Sequence, residues 1–138
     1  MTRVIVDTGV VISAALKQDG TSRRALLSAG RNGVFLKSFQ TNAELIEVIN
    51  RPKFRAISSD IKAQILDILD LNSETIFTVS DILICRDPKD DMFLNLAIDG
   101  KADVIISRDP DLLVLHPFQG ISILNPADFL AWMENKAV

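Results

Sequence analysis

Five short β-prone runs, at residues 3–6, 34–37, 75–79, 103–107 and 121–124, alternate with longer stretches whose apolar residues recur at helical spacing. Strands separated by helices pair in parallel through right-handed crossovers, because each helix carries the chain back to the edge where the previous strand began. The pattern predicts an α/β fold, a three-layer α/β/α sandwich around a central parallel sheet of four to five strands. With 138 residues, 48% of them hydrophobic, the chain can fill one good core, and without repeats, low-complexity tracts or a linker it reads as one domain over residues 1–138.

Arg3-Val4-Ile5-Val6 predicts a buried strand feeding a buried helix that carries Val10, Val11, Ile12, Ala14, Ala15 and Leu16 and closes at Asp19-Gly20. A second helix over 21–29 turns Ala25, Leu26 and Ala29 inward and stops at Gly30 and Gly33. After the strand at 34–37, a helix starting near Thr41 places Leu45, Ile46 and Ile49 on one face until Pro52 interrupts it. From about Ser59, residues Ile61, Ile65, Ile68 and Leu69 share another helical face. Residues 88–97 read as helix, and the strand at 121–124 leads into a final helix capped by Asn125 with Pro126 in its first turn.

Asp7, Glu44, Asp90 and Asp109 fall where a strand gives way to a helix, or just inside a helix that follows one. The carboxyl ends of parallel strands share one edge, so these acids converge on a single crevice. Two carboxylates ~4 Å apart repel by roughly 4 kcal/mol at an effective dielectric of 20, and a cluster of four needs protons, bases or metal to persist. With few basic residues adjacent in sequence, a divalent metal is the simplest answer. Each acid also has a plain structural use. Asp7 can cap the helix after it, although its apolar flanks favour function. Thr41-Asn42-Ala43-Glu44 fits a capping box, in which Glu44 would reach back to a backbone N–H. Asp87 can cap a helix opened by Pro88, which leaves Asp90 in the first turn, while Asp91 points about 100° away around the helix. Either Asp109 or Asp111 can cap the turn after Pro110, and Asp109 lies nearer the strand end.

The rest of the composition removes competing chemistries. A single His116 excludes a paired-histidine mechanism, and one histidine with one cysteine cannot build a four-ligand zinc site. No tyrosine and no Gly-rich phosphate loop are present. Cys85 has no partner for an internal disulfide, the N-terminus lacks signal-peptide character, and no apolar run approaches the roughly 20 residues that span a bilayer. The reading is a cytoplasmic protein with no membrane role. A net charge of −3 argues against a general polyanion coat, yet is compatible with a local basic stripe.

The order and spacing of Val6-Asp7-Thr8-Gly9-Val10, Glu44-Leu45, Arg86-Asp87-Pro88-Lys89-Asp90-Asp91 with Phe93-Leu94 and Ala97, Lys101-Ala102-Asp103, Ser107-Arg108-Asp109, Asp111-Leu112-Leu113, Asn125-Pro126 and Phe129-Leu130 resemble a PIN domain. This family comprises small metal-dependent nucleases, and the chain is most similar to its stand-alone prokaryotic branch, the toxins of toxin–antitoxin pairs. The resemblance implies a PIN-like fold, cleavage of an RNA substrate, a cognate antitoxin as partner, and Mg²⁺ or Mn²⁺ on Asp7, Glu44, Asp90 and Asp109. In that reading Asp7 and Asp90 hold the principal ion, Glu44 binds directly or through water, and Asp109 completes the cluster or positions the nucleophile. Thr8, Ser107, Asp87 and Asp111 would support the ligands from behind. Arg23, Arg24, Arg51, Lys53, Arg55 and Arg108 are the candidate phosphate contacts.

Against the family pattern, Gly9 and Asp91 stand where Asn is common, Ser107 replaces Thr, and Arg108 replaces Gly. Gly9 and Arg108 keep open an alternative, a catalytically impaired PIN-like interaction or RNA-binding module. A receiver-type phosphotransfer domain would need a lysine at a late strand end, where this chain has Ser107-Arg108. Finally, Phe129, Leu130, Trp132 and Met133 put more apolar surface on the last helix than one docking face needs, which predicts a homodimer.

Overall fold

Thr2–Val6 forms the middle strand, β1, of a parallel sheet whose other members are β2 (Gly33–Lys37), β3 (Ser73–Thr75), β4 (Val104–Ile106) and β5 (Ser122–Leu124). The structure, a computed structural model, describes residues 1–136. Among them the helices are α1 (Thr8–Leu16), α2 (Thr21–Asn32), α3 (Phe39–Ile49), α4 (Ser59–Asp70), α5 (Asp91–Asp99), α6 (Pro110–Leu113) and α7 (Pro126–Lys136), with short 3₁₀ turns at Pro52–Phe54 and Pro88–Asp90. The strand order is β3-β2-β1-β4-β5. The chain therefore builds outward from β1 on one side, then returns to build outward on the other, and the sheet's switch point lies between the carboxyl ends of β1 and β4. Val6 pairs with Ile106 there, so Asp7 and Ser107 leave the sheet side by side.

Side chains alternate across each strand and divide the core in two. Val4, Phe35, Val104 and Ile106 face one layer, where they pack with Val10, Val11, Ala25, Leu26, Ile65 and Phe129. Ile5, Leu36, Ile105 and Ile123 face the other, against Phe93, Leu94, Leu96, Ala97 and Leu112. The α/β/α sandwich expected from the alternation of elements is the fold observed, with five strands among the described residues. No helix among them is long and apolar enough to cross a membrane.

Four local expectations need correction. The strand expected at 75–79 ends at Thr75. Ile76 still donates its N–H to the Lys37 carbonyl at 2.8 Å, but the chain then leaves the sheet for α5. Asp99 accepts the backbone N–H groups of Val79 (2.7 Å) and Ser80 (2.9 Å), Asn95 accepts that of Ile82 (2.7 Å), and Asp91 accepts those of Ile84 (3.1 Å) and Cys85 (2.9 Å). Residues four apart share a helix face, so Asp91, Asn95 and Asp99 form one row of acceptors that replaces a sheet partner. Second, α2 runs through Gly30 and stops at Gly33, where a Cβ would collide with the Thr2 carbonyl oxygen across the β1–β2 pair. Third, α3 begins at Phe39 rather than near Thr41: the Ser38 hydroxyl accepts the Thr41 N–H at 3.1 Å and the Thr41 hydroxyl accepts the Ser38 N–H at 3.0 Å. Fourth, the helix expected at 88–97 divides into the 3₁₀ turn and α5, which continues to Asp99.

Asn125 caps α7 as expected, accepting the Asp128 N–H at 2.8 Å. Phe129 and Met133 are buried, and Leu130 and Trp132 are half-buried against the same core layer. The apolar surplus of the last helix is thus largely absorbed within the chain. Large apolar side chains are instead exposed at Phe39, Phe77, Val79, Leu83 and Ile84.

Candidate metal centre

Asp7 is buried at the end of β1, and its own N–H extends the ladder to the Ile106 carbonyl at 3.0 Å. Its carboxylate has two occupations. Oδ1 accepts the Val10 N–H at 2.9 Å, capping α1, and Oδ2 accepts the Ser107 hydroxyl. Capping therefore does not compete with a place in the site. Burial raises the Asp7 pKa above the usual carboxylate range, opposed by the Ser107 and Val10 hydrogen bonds and reinforced by the charge of Asp109.

The fully buried Ser107 also accepts the Asp109 N–H at 3.0 Å, so one hydroxyl fixes both acids relative to β4. Asp109 caps α6 by accepting the Asp111 N–H at 2.9 Å. Glu44 is released from capping by the Ser38–Thr41 pair and accepts the Thr8 hydroxyl at 2.5 Å. Asp87 accepts the Lys89 N–H at 3.0 Å and caps the 3₁₀ turn that Pro88 opens, which delivers Asp90 from a third direction. One oxygen of Asp90, Oδ2, is buried without a hydrogen-bond partner. The Asp90 pKa is pushed up to about 7, first by burial, then by hydrogen bonding and repulsion with Asp109, with smaller repulsion from Asp87 and Asp7.

Asp7, Thr8, Gly9, Glu44, Asp90, Phe93, Arg108 and Asp109 line one cleft of about 480 Å³. All four acids expected from the sequence border it. Asp111 lies closer than a supporting role requires: one of its oxygens falls with one each from Asp90 and Asp109 in a group within 4.8 Å of one another. Its carboxylate is held by Nε of Arg86 at 3.0 and 3.2 Å, a partner that no local pattern in the sequence announces. Asp87 is exposed, bonded to its own turn, and does not line the cleft. Of the expected phosphate contacts, only Arg108 lines it. Arg23 bonds to Gln64 at 3.2 Å, Arg24 to Thr21 at 3.4 Å, and Arg51 pairs with Glu47 at 2.7 Å; Lys53 sits 5.1 Å from the Phe54 ring centre, and Arg55 is exposed.

Hard carboxylate oxygens suit Mg²⁺ or Mn²⁺, and the unpartnered oxygen of Asp90 is the kind of buried acceptor that a cation satisfies. The residues fit such an ion. The nearby Cys85 thiol is pushed up to about 12, by burial and then by Asp91, so it offers no thiolate at neutral pH. His116 is committed to the backbone, its Nδ1 accepting the Ile123 N–H at 2.8 Å.

In comparisons with known proteins, no curated protein matches the sequence. The structure is similar to VapBC2 from Rickettsia felis, crystallised bound to a DNA fragment from their promoter, with a TM-score of 0.57 and 14% identity over 90% of this chain and 98% of that one. It is also similar to PAE2754 from Pyrobaculum aerophilum, with a TM-score of 0.61 and 14% identity over 97% and 90% of the two chains. At this identity both likenesses speak to the fold. The sequence itself matches the PIN domain family model over residues 3–111, a span that takes in every acid of the cleft and Arg108. The chain belongs to the PIN domain family, a family of nucleases.

Proposed function

We propose that this chain is a divalent-metal-dependent endoribonuclease acting in the cytoplasm as the toxin of a toxin–antitoxin pair, with Asp7, Glu44, Asp90 and Asp109 holding Mg²⁺ or Mn²⁺. The observation that carries the reading is that these four carboxylates line one cleft at the sheet's switch point, with one Asp90 oxygen buried and unpartnered. When bound, the metal supplies Lewis-acid stabilisation of phosphoryl charge and a water made nucleophilic at neutral pH. The protein's part is to hold the ligands still. Ser107 ties Asp7 and Asp109 to β4, Thr8 orients Glu44, and the Pro88 turn fixes Asp90. Likeness to VapBC2 supports the antitoxin partner.

Gly9 does not favour the impaired-module alternative. A Cβ there would meet only Asp7 Oδ1 at 3.6 Å, an ordinary contact, so glycine leaves the mouth open without distorting the acids. The test is cleavage of single-stranded RNA in Mg²⁺ or Mn²⁺. Asp90→Asn should reduce the rate at least about 100-fold and blunt the metal-induced rise in melting temperature. Unchanged cleavage in that variant, or no metal-dependent cleavage by the wild type, overturns the reading.

A further inference from the structure

Arg108 stands between two clefts. One is the acid cleft; the other, of about 560 Å³, is lined by Ser13, Lys17, Thr21, Ser22 and Asn125 among others. We propose that this second cleft binds the phosphodiester of a nucleotide adjoining the scissile one, with Arg108 and Lys17 as its cations, so that the RNA runs over the α1–α2 connection. The inference rests on the nuclease reading above and gives the substrate a direction.

Arg108 follows Ser107, whose hydroxyl bonds to Asp7, and its Nη1 donates to the Ser13 hydroxyl at 2.7 Å. Ser13 is itself held by buried Ser22 at 3.1 Å, so the wall beneath the guanidinium is fixed. A guanidinium carries five N–H donors, and Arg108 is exposed with Nη1 bonded to Ser13. Lys17 is exposed and forms no ion pair among the described residues. Asp19 is the one acid on the lining, so cations outnumber it, whereas the acid cleft has four carboxylates and a single cation. A polyanion leaving the acid cleft meets favourable charge in this direction. Arg51, Lys53 and Arg55 line neither cleft. No aromatic residue lines the second cleft, so its grip is on the backbone rather than on stacked bases.

The test is steady-state cleavage of a short single-stranded RNA by Lys17→Gln and Arg108→Gln, with Arg31→Gln as control. Arg31, in the last turn of α2, loses the same charge at the far end of the helix from Thr21. Lys17→Gln should raise KM about threefold or more with little change in kcat, Arg108→Gln should raise KM at least as much, and each should lower the salt dependence of RNA affinity by roughly 0.7 in log–log slope. Mn²⁺ affinity measured by calorimetry should be unchanged in Lys17→Gln. If Lys17→Gln and Arg108→Gln behave like Arg31→Gln while cleavage and Mn²⁺ binding persist, the second cleft is not a phosphate site and the nuclease reading stands. If the wild type neither binds Mn²⁺ nor cleaves, both fail.

Discussion

Ser107 bears more of the centre's geometry than any one of the acids. Its hydroxyl donates to Asp7 and accepts from the Asp109 backbone, and it is fully buried. Ser107→Ala leaves a buried carboxylate oxygen and a backbone N–H without partners, at a cost of about 1–3 kcal/mol. Denaturant unfolding should show that loss, and cleavage should fall about 10–100-fold, whereas Ser107→Thr keeps the hydroxyl and most of the activity. Asp7 and Asp90 set the pH response. Both bind a proton more tightly in the folded than in the unfolded chain, Asp90 with a folded pKa of about 7. From the ordinary carboxylate range up to that value the native state carries the extra protons, so metal-free stability falls as pH rises through the window and is lowest above it. Melting temperature in chelator should drop between about pH 5 and about pH 8, and Asp90→Asn should flatten the drop and melt higher at the alkaline end. A metal-free protein whose melting temperature climbs over that range would contradict the pairing of Asp90 with Asp109.

At the scale of elements, α3 shows where local pattern is ambiguous. Ser38-Phe39-Gln40-Thr41 and Thr41-Asn42-Ala43-Glu44 are overlapping cap signals, and the structure uses the first. Glu44→Gln should therefore leave stability within about 0.5 kcal/mol while reducing cleavage, and Ser38→Ala should cost about 1 kcal/mol. A Glu44→Gln protein that loses helix stability but keeps activity would return Glu44 to capping. The strands β1, β2 and β4 and the helices α1, α4 and α7 were legible because apolar runs and caps are local signals. The end of β3 was not. Residues 77–79 are as β-prone as their neighbours, and only the acceptors on α5, some twenty residues later, draw them from the sheet. The pairing of Asp111 with Arg86 escaped for the same reason: the contact spans 25 residues, and neither position carries a local sign of the other. Arg23, Arg24, Arg51, Lys53 and Arg55 were read from charge alone, which says nothing of the direction a side chain faces.

For the whole molecule, the topology explains why acids so far apart in sequence meet. A chain that builds outward from β1 twice must pass its β1 and β4 ends at the same place. We expect self-association to use a different face from the one the last helix suggested. Phe39 and Phe77, with ring centres 5.4 Å apart, are exposed, as are Val79, Leu83 and Ile84 along the segment bonded to α5. We expect sedimentation to show a dimer at tens of micromolar and Leu83→Glu to give monomers with unchanged Mn²⁺ binding; a wild-type monomer would end the idea. That same segment is also a ruler. Its N–H groups at Ser80, Ile82 and Ile84 meet acceptors at Asp99, Asn95 and Asp91. Two residues of extended chain advance about 6.6 Å, and four residues of helix advance about 6 Å, so the two scales stay in step over three marks. Losing or gaining a single residue here would put these N–H groups out of step with their marks and shift Asp90 along the cleft. A stretch without regular structure is thus held to a definite length, and tolerates changes only in pairs matched by a turn of α5.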